Sequence, residues 1–201
     1  MLGLDAPEAT ITQQFERDGR EMDLATHDIA KFLNLLLKKN GNVLEQIYSP
    51  LVVQGEADLE ELRVLARGAI TRHFYHHYAG FARNKLKEFD GESPRRVKTL
   101  LYVFRVLLTG IWLLQTGEVE ANLLHLNRMF RLPFIPDLVA QKSKERAMLD
   151  ESDLPVYREA IASLQTQLES AFADTTLPDA PVNRGALNDF LVRIRLEYDR
   201  D

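Results

Sequence analysis

Residues 20–50 read REMDLATHDIAKFLNLLLKKNGNVLEQIYSP, and this stretch decides the class of fold. Glu21–Ala25 is short and carries Asp23 between Met22 and Leu24, the alternation of a strand. Thr26 is placed to cap a helix. Beyond it Ile29, Phe32, Leu33, Leu36 and Leu37 fall on one helical face. Lys38 and Lys39 suit a helix C-terminus, and Asn40-Gly41 ends it. Asn42 is expected to cap a short helix that closes near Tyr48, where Ser49-Pro50 breaks the chain. On the N-terminal side, Thr10–Phe15 (TITQQF) is β-rich and Arg17-Asp18-Gly19-Arg20 is a turn with a strong hairpin dipeptide. The strand in the quoted stretch is therefore the return arm of a hairpin.

The chain beyond Pro50 reads as helices. Ala57–Gly68 and Ile70–Phe89 come first, with a break near Gly68. Ser93 is expected to cap the next helix with Pro94 at its first position. That helix, Pro94–Gln115, is the clearest: Val97, Leu100, Leu101, Phe104, Leu107, Leu108, Ile111 and Trp112 recur at helical spacing. Glu120–Phe130, Asp137–Met148, Asp153–Ala173 and Asn183–Tyr198 follow, the last after a linker at Asp174–Pro181 (DTTLPDAP). The predicted fold class is α+β, mostly α: a short antiparallel β-hairpin followed by a helical bundle. Two domains are expected, 1–53 and 54–201.

Bulk properties narrow the function. The 201 residues are 45% hydrophobic and 27% charged, with a net charge of −5. That is an ordinary globular composition without a global basic field for coating DNA. Cysteine is absent, which excludes disulfides and Cys-based zinc sites and suits a reducing cytoplasm. The N-terminus, MLGLDAPEAT, has neither the basic nor the apolar region of a secretory signal. The longest apolar run, around Val106–Leu114, is interrupted by Thr109 and Gly110 and is too short to span a bilayer.

Three stretches hold candidate chemistry. On a strand Met22 and Leu24 are expected to face the core and Asp23 the other side; a carboxylate there suits a Mg²⁺ ligand or the activation of a hydroxyl, and the bland reading is a solvated strand residue. Thr71–Phe81, TRHFYHHYAGF, holds three of the five histidines. His73 with His76 or His77 has the helical spacing of a two-His metal pair, but no Glu sits between them as in zincins. His76 and His77 are candidate substrate contacts, against a partly buried aromatic helix as the bland reading. Arg72 and His77 also fit the loose Arg-x4-His pattern of HEPN-type ribonucleases. In Arg95–Arg105, RRVKTLLYVFR, residues Lys98, Tyr102 and Arg105 share one helical face, with Arg83, Lys85 and Lys87 adding charge upstream. Lys and Arg there suit phosphates, and Tyr suits stacking or hydrogen bonding to a nucleotide. The competing reading is a basic solvated face with snorkelling stems.

Taken in order, these stretches resemble a known family. LGLDAPEATI, the strand Asp ahead of HDIAKFLNLLLKKNGNVLEQIYSPL, then HHYAGFARNK, then KTLLYVFR with GIWLL are similar to predicted nucleotidyltransferases of the DNA polymerase β superfamily, in the RNA-repair-associated branch. The similarity spans about Leu2 to Phe134. It implies a mixed sheet with helices and Mg²⁺-dependent transfer of a nucleotide from a nucleoside triphosphate to a nucleic-acid or protein hydroxyl. RNA is the partner the branch suggests. A Gly-Ser turn and an Asp-x-Asp pair would hold the metal, and a third Asp would complete the site. Asp23 matches the third carboxylate by position, and Lys98, Tyr102 and Arg105 fall in the region that flanks the nucleotide. The Gly-Ser and Asp-x-Asp part has no counterpart: the nearest Asp pairs are Asp150/Asp153 and Asp199/Asp201. Residues 1–53 are then expected to be a partial nucleotidyltransferase domain, its hairpin a remnant of the sheet, and the chain to be inactive alone. The alternatives are a helical binding or regulatory module that pairs with a catalytic partner or a second copy through its free strand edge, and a HEPN-like ribonuclease.

Overall fold

The structure, a computed structural model, describes Leu4, residues 10–142 and residues 147–198. As the sequence predicts, a two-stranded antiparallel sheet is followed by helices. Along the chain these are β1 (Thr10–Arg17), β2 (Arg20–His27), α1 (Ile29–Leu37), α2 (Gly41–Ile47), α3 (Glu56–Arg67), α4 (Phe74–Gly91), α5 (Val97–Thr116), α6 (Leu123–Phe130), α7 (Ile135–Lys142), α8 (Leu154–Asp174) and α9 (Arg184–Tyr198). The chain forms two compact units. One holds the residues up to Ala69 together with those from Ala180 onward, and the other holds Ile70–Asp179.

In the first unit, β1 and β2 pair from Thr10↔His27 to Arg17↔Arg20. Asp18 and Gly19 link them with φ of 53° and 71°, the double positive φ of a two-residue hairpin turn whose twist suits the strands. The alternation is as expected, but the burial is not. Every residue of both strands is exposed, including Met22 at 43% and Leu24 at 45%. Among the described residues nothing covers the apolar face, so Met22 and Leu24 do not point into a core.

Two expected caps shift by two residues. Thr26 is still in the ladder and donates its hydroxyl to the Ile11 carbonyl at 3.3 Å. Asp28 is the first residue past the ladder, and it accepts the Ala30 N–H at 2.8 Å and so caps α1. Asn40, not Asn42, caps α2, accepting the N–H groups of Asn42 and Val43 at 3.0 and 3.3 Å. Here the side chain must precede the free N–H groups it satisfies. α2 packs on α1 and α3, and α9 packs on α1 and α3. They enclose Leu33, Leu36, Leu44, Ile47, Leu62, Leu187, Phe190 and Leu191, all buried. Arg195 of α9 donates to both oxygens of Asp28 at 2.7 and 2.9 Å.

In the second unit α5 is the central helix, with α4, α6, α7 and α8 packed on it. By length and composition alone α5 would cross a membrane, with a mean hydropathy of 1.7 over an 18-residue window. But 78% of that window is buried within the protein, so the apolarity is that of a core helix. It begins at Val97, three residues after the expected Pro94. The backbone before it is held elsewhere: Arg96 pairs with Met148 as a bridge, and Leu149 N–H donates to the Arg95 carbonyl at 2.8 Å. The same pairing keeps residues 147–149 out of α7, which the sequence extends to Met148; 143–146 lie outside the described residues. α6 begins at Leu123 rather than Glu120, where Asn122 accepts two N–H groups at 3.0 and 3.3 Å.

Candidate functional site

α4 and α5 pack on each other through apolar stripes dictated by their sequences. Phe74, Tyr78, Ala82 and Phe89 are buried on α4. Gly110 of α5 lets the helices approach: a Cβ there would lie 2.7 Å from Cβ of Tyr78. Along one border of this contact runs a row of rings and cations. His77, Phe81 and Lys85 recur every fourth residue on α4, so they share a face. The His77 ring lies 5.7 Å from Phe81, and Phe81 meets Tyr102 of α5 edge-on at 5.9 Å. Lys85 Nζ lies 5.3 Å from the Tyr102 ring centre and Arg105 Cζ 4.7 Å. Both are within cation–π range. Lys98, one turn before Tyr102, is exposed.

The structure thus joins His77, Tyr102 and Arg105 in one row, with Lys98 on the same helix one turn away. Tyr102 acts here as a strut for two cations. Phe81 carries no signal of its own in the sequence, and Lys85 reads there only as background charge. Their signal was the four-residue spacing from His77, meaningful only once Tyr102 of the next helix lies beside them. The row is locally basic. Between Phe74 and Thr116 there are seven Lys or Arg and three Asp or Glu, in a chain of net charge −5. Of the three acids, Glu88 pairs with Lys85 at 2.7 Å, Asp90 with Arg158 at 2.7 Å, and Glu92 with Arg96.

His76 lies off this row. Its ring stacks on His73 at 5.7 Å and meets Tyr75 at 5.3 Å. Arg72 is engaged on the α8 side: it donates to the Phe172 carbonyl at 2.6 Å and lies 4.8 Å over the Phe172 ring. His77 faces Phe81 instead, at 5.7 Å.

Asp23 belongs to the first unit, whereas Lys98, Tyr102, Arg105, His76 and His77 belong to the second. On β2 it stands opposite Gln14, exposed, on the polar face of the hairpin with Glu21 two residues away. Among the described residues no group of three or more His, Cys, Asp or Glu could hold a metal ion. A two-Mg²⁺ centre needs several converging carboxylates, and the described residues do not bring them together. Asp150 and Asp153 do not substitute. Asp150 accepts the Ser152 N–H at 3.0 Å, Asp153 opens α8, and Asp199 and Asp201 lie outside the described residues.

Comparison with known proteins adds lineage to this geometry. A family model described as the RNA repair pathway DNA polymerase beta family matches residues 2–193. An uncharacterized protein of Methanocaldococcus jannaschii, MJ0002, is 35% identical over 100 residues, which is 50% of this chain and 41% of that protein. The chain thus spans less than half the length of that relative. No solved structure matches.

Proposed function

Because this chain belongs to the RNA repair pathway DNA polymerase beta family, we propose that it serves nucleotidyl transfer, supplying the helical half that grips a nucleoside triphosphate. The carrying observation is the convergence of Lys85 and Arg105 on Tyr102, with Lys98 one turn away. Two cations held on one ring concentrate positive charge there, and Lys85 would meet a phosphate by exchanging its Glu88 partner. His77 and Phe81 border them with planar surface. Asp23 is assigned the third carboxylate's part, accepting the proton of an acceptor hydroxyl on RNA or protein. The described residues do not fit the Mg²⁺ centre the family uses, so no step is derived through the metal. The chain alone is proposed to bind nucleotide and to transfer little of it, in the cytoplasm.

Titration calorimetry with nucleoside triphosphates tests this. Wild-type protein should bind, and Arg105→Ala with Lys98→Ala should weaken binding about tenfold or more, the scale of losing charge-assisted hydrogen bonds. Unchanged affinity in the double variant would sink the site. Robust labelling of RNA or protein by the chain alone, using radiolabelled triphosphate, would overturn the inactive-alone reading.

A second reading is favoured by the hairpin: a module that pairs with a catalytic partner chain. Among the described residues both strands have free edges, and Ile11, Phe15, Met22 and Leu24 stand exposed on one face, features that invite strand addition. A strict monomer in light scattering, with no partner recovered, counts against it.

A further inference from the structure

On α4, His76, Gly80, Arg83 and Lys87 fall at i, i+4, i+7 and i+11 and so form one stripe. The stripe lies opposite the buried Tyr78, Ala82 and Phe89. His76, Arg83 and Lys87 are exposed. Gly80 opens the stripe's middle, since a Cβ there would meet nothing within 4 Å. Among the described residues Arg83 and Lys87 have no ion pair and no side-chain hydrogen bond. This sets them apart from Lys85, Arg95 and Arg96, which are all paired with Glu side chains. At the other end the exposed His76 ring is backed by His73, stacked at 5.7 Å with an interplanar angle of 10°.

We propose that this stripe is a track for a single-stranded nucleic acid, one base lying on His76 and successive phosphates on Arg83 and Lys87. The stripe is about 16 Å long at 1.5 Å rise per residue. That is several times the ~3.4 Å axial spacing of nucleotides along a DNA strand, so successive nucleotides of a strand can lie along it. Unpaired cations gain most from phosphate because no existing ion pair is given up. An exposed ring held by neighbouring rings, here His73, Tyr75 and Phe172, is a surface on which bases stack without sequence preference. Gly80 lets the strand pass close to the helix between the two ends. The proposal rests on the reading of the α4–α5 row as the nucleotide site, and it identifies the acceptor as nucleic acid rather than protein.

The test is fluorescence anisotropy with a labelled 12-nucleotide single-stranded RNA over a salt series, beside calorimetry with a nucleoside triphosphate. Wild-type protein should bind the oligonucleotide with an affinity that falls steeply with salt. Arg83→Glu with Lys87→Glu should weaken it about tenfold at low salt. Loss of two phosphate contacts should also flatten the logarithmic salt slope by about 1.4. His76→Ala should weaken binding about tenfold. Arg128→Glu, an exposed α6 position, should leave it unchanged. Arg83→Gln with Lys87→Gln, checked by circular dichroism, repeats the measurement without added negative charge. Oligonucleotide binding that is absent in the wild type, or equal in all variants, overturns the track. Loss of triphosphate binding in the Arg105 variant, with the track intact, supports both sites. Triphosphate binding insensitive to Arg105 while the stripe variants lose RNA overturns the nucleotide site only.

Discussion

Glu92 shows how one side chain braces the chain leading into a helix. Its carboxylate accepts the Arg96 N–H at 2.9 Å, the Arg96 guanidinium and the Thr99 hydroxyl at 2.7 Å. Burial pushes its pKa up, but hydrogen bonds from Arg96 and Thr99 and the charge of Arg96 outweigh that and hold it below 4.5. A carboxyl lowered on folding contributes stability above its unfolded value, and the contribution is lost as pH falls through the folded one. Asp28, lowered from 3.8 because Arg195 and two backbone N–H groups outweigh its burial, acts with the same sign. The melting temperature should therefore fall as pH drops below about 4.5, and Glu92→Gln should flatten that fall. Glu92→Ala should cost about 1–3 kcal/mol at neutral pH by leaving the buried Thr99 hydroxyl without its acceptor. Chemical denaturation across pH 3–7 checks all three. The Ser93-Pro94 cap expected from sequence does not form because residues 95 and 96 pair with 148 and 149, so that α5 begins only at Val97, with no side-chain cap.

Among the elements, α5 was the most legible in sequence and the hairpin the least. Fourteen buried positions of α5 follow from an apolar repeat that only a core helix satisfies. Gly110 is the exception inside it, a poor helix former kept for its lack of a side chain against Tyr78. Gly110→Ala improves helix propensity yet should destabilise by about 1–3 kcal/mol, because Cβ would overlap Tyr78 Cβ, an atom fixed to the α4 backbone. Thermal melting decides the sign, and a stabilised variant would mean the two helices can part. For the hairpin, alternation and Asp-Gly fixed the turn and register, but alternation says nothing of whether the apolar face is covered. The same limit applies to the candidate row. His76 and His77 are neighbours in sequence, yet a 100° turn sends one outward and the other to Phe81.

For the molecule as a whole, continuity of the chain separates the two units in a testable way. Ile70–Asp179 is one uninterrupted segment with α5 at its centre. The first unit needs α9, which returns after residue 180 to place Leu187, Phe190 and Leu191 in its core. Residues 70–179 expressed alone should keep a helical circular dichroism spectrum and a cooperative melt. Residues 1–69 alone should not, because they lack the α9 side of their core and the Arg195 partner of Asp28. A cooperative melt of 1–69 would show that α9 is dispensable. The sequence by itself determined the hairpin turn, the order of the helices, the core character of α5 and the family resemblance. Each of these is written in local periodicity or in short runs of residues. Only the tertiary structure decided which helix caps are used, that α9 closes the first unit, that the hairpin face is bare, and that Phe81 and Lys85 join Tyr102 and Arg105. These depend on contacts between residues far apart in the chain, and no local pattern encodes the side on which a neighbouring element will lie.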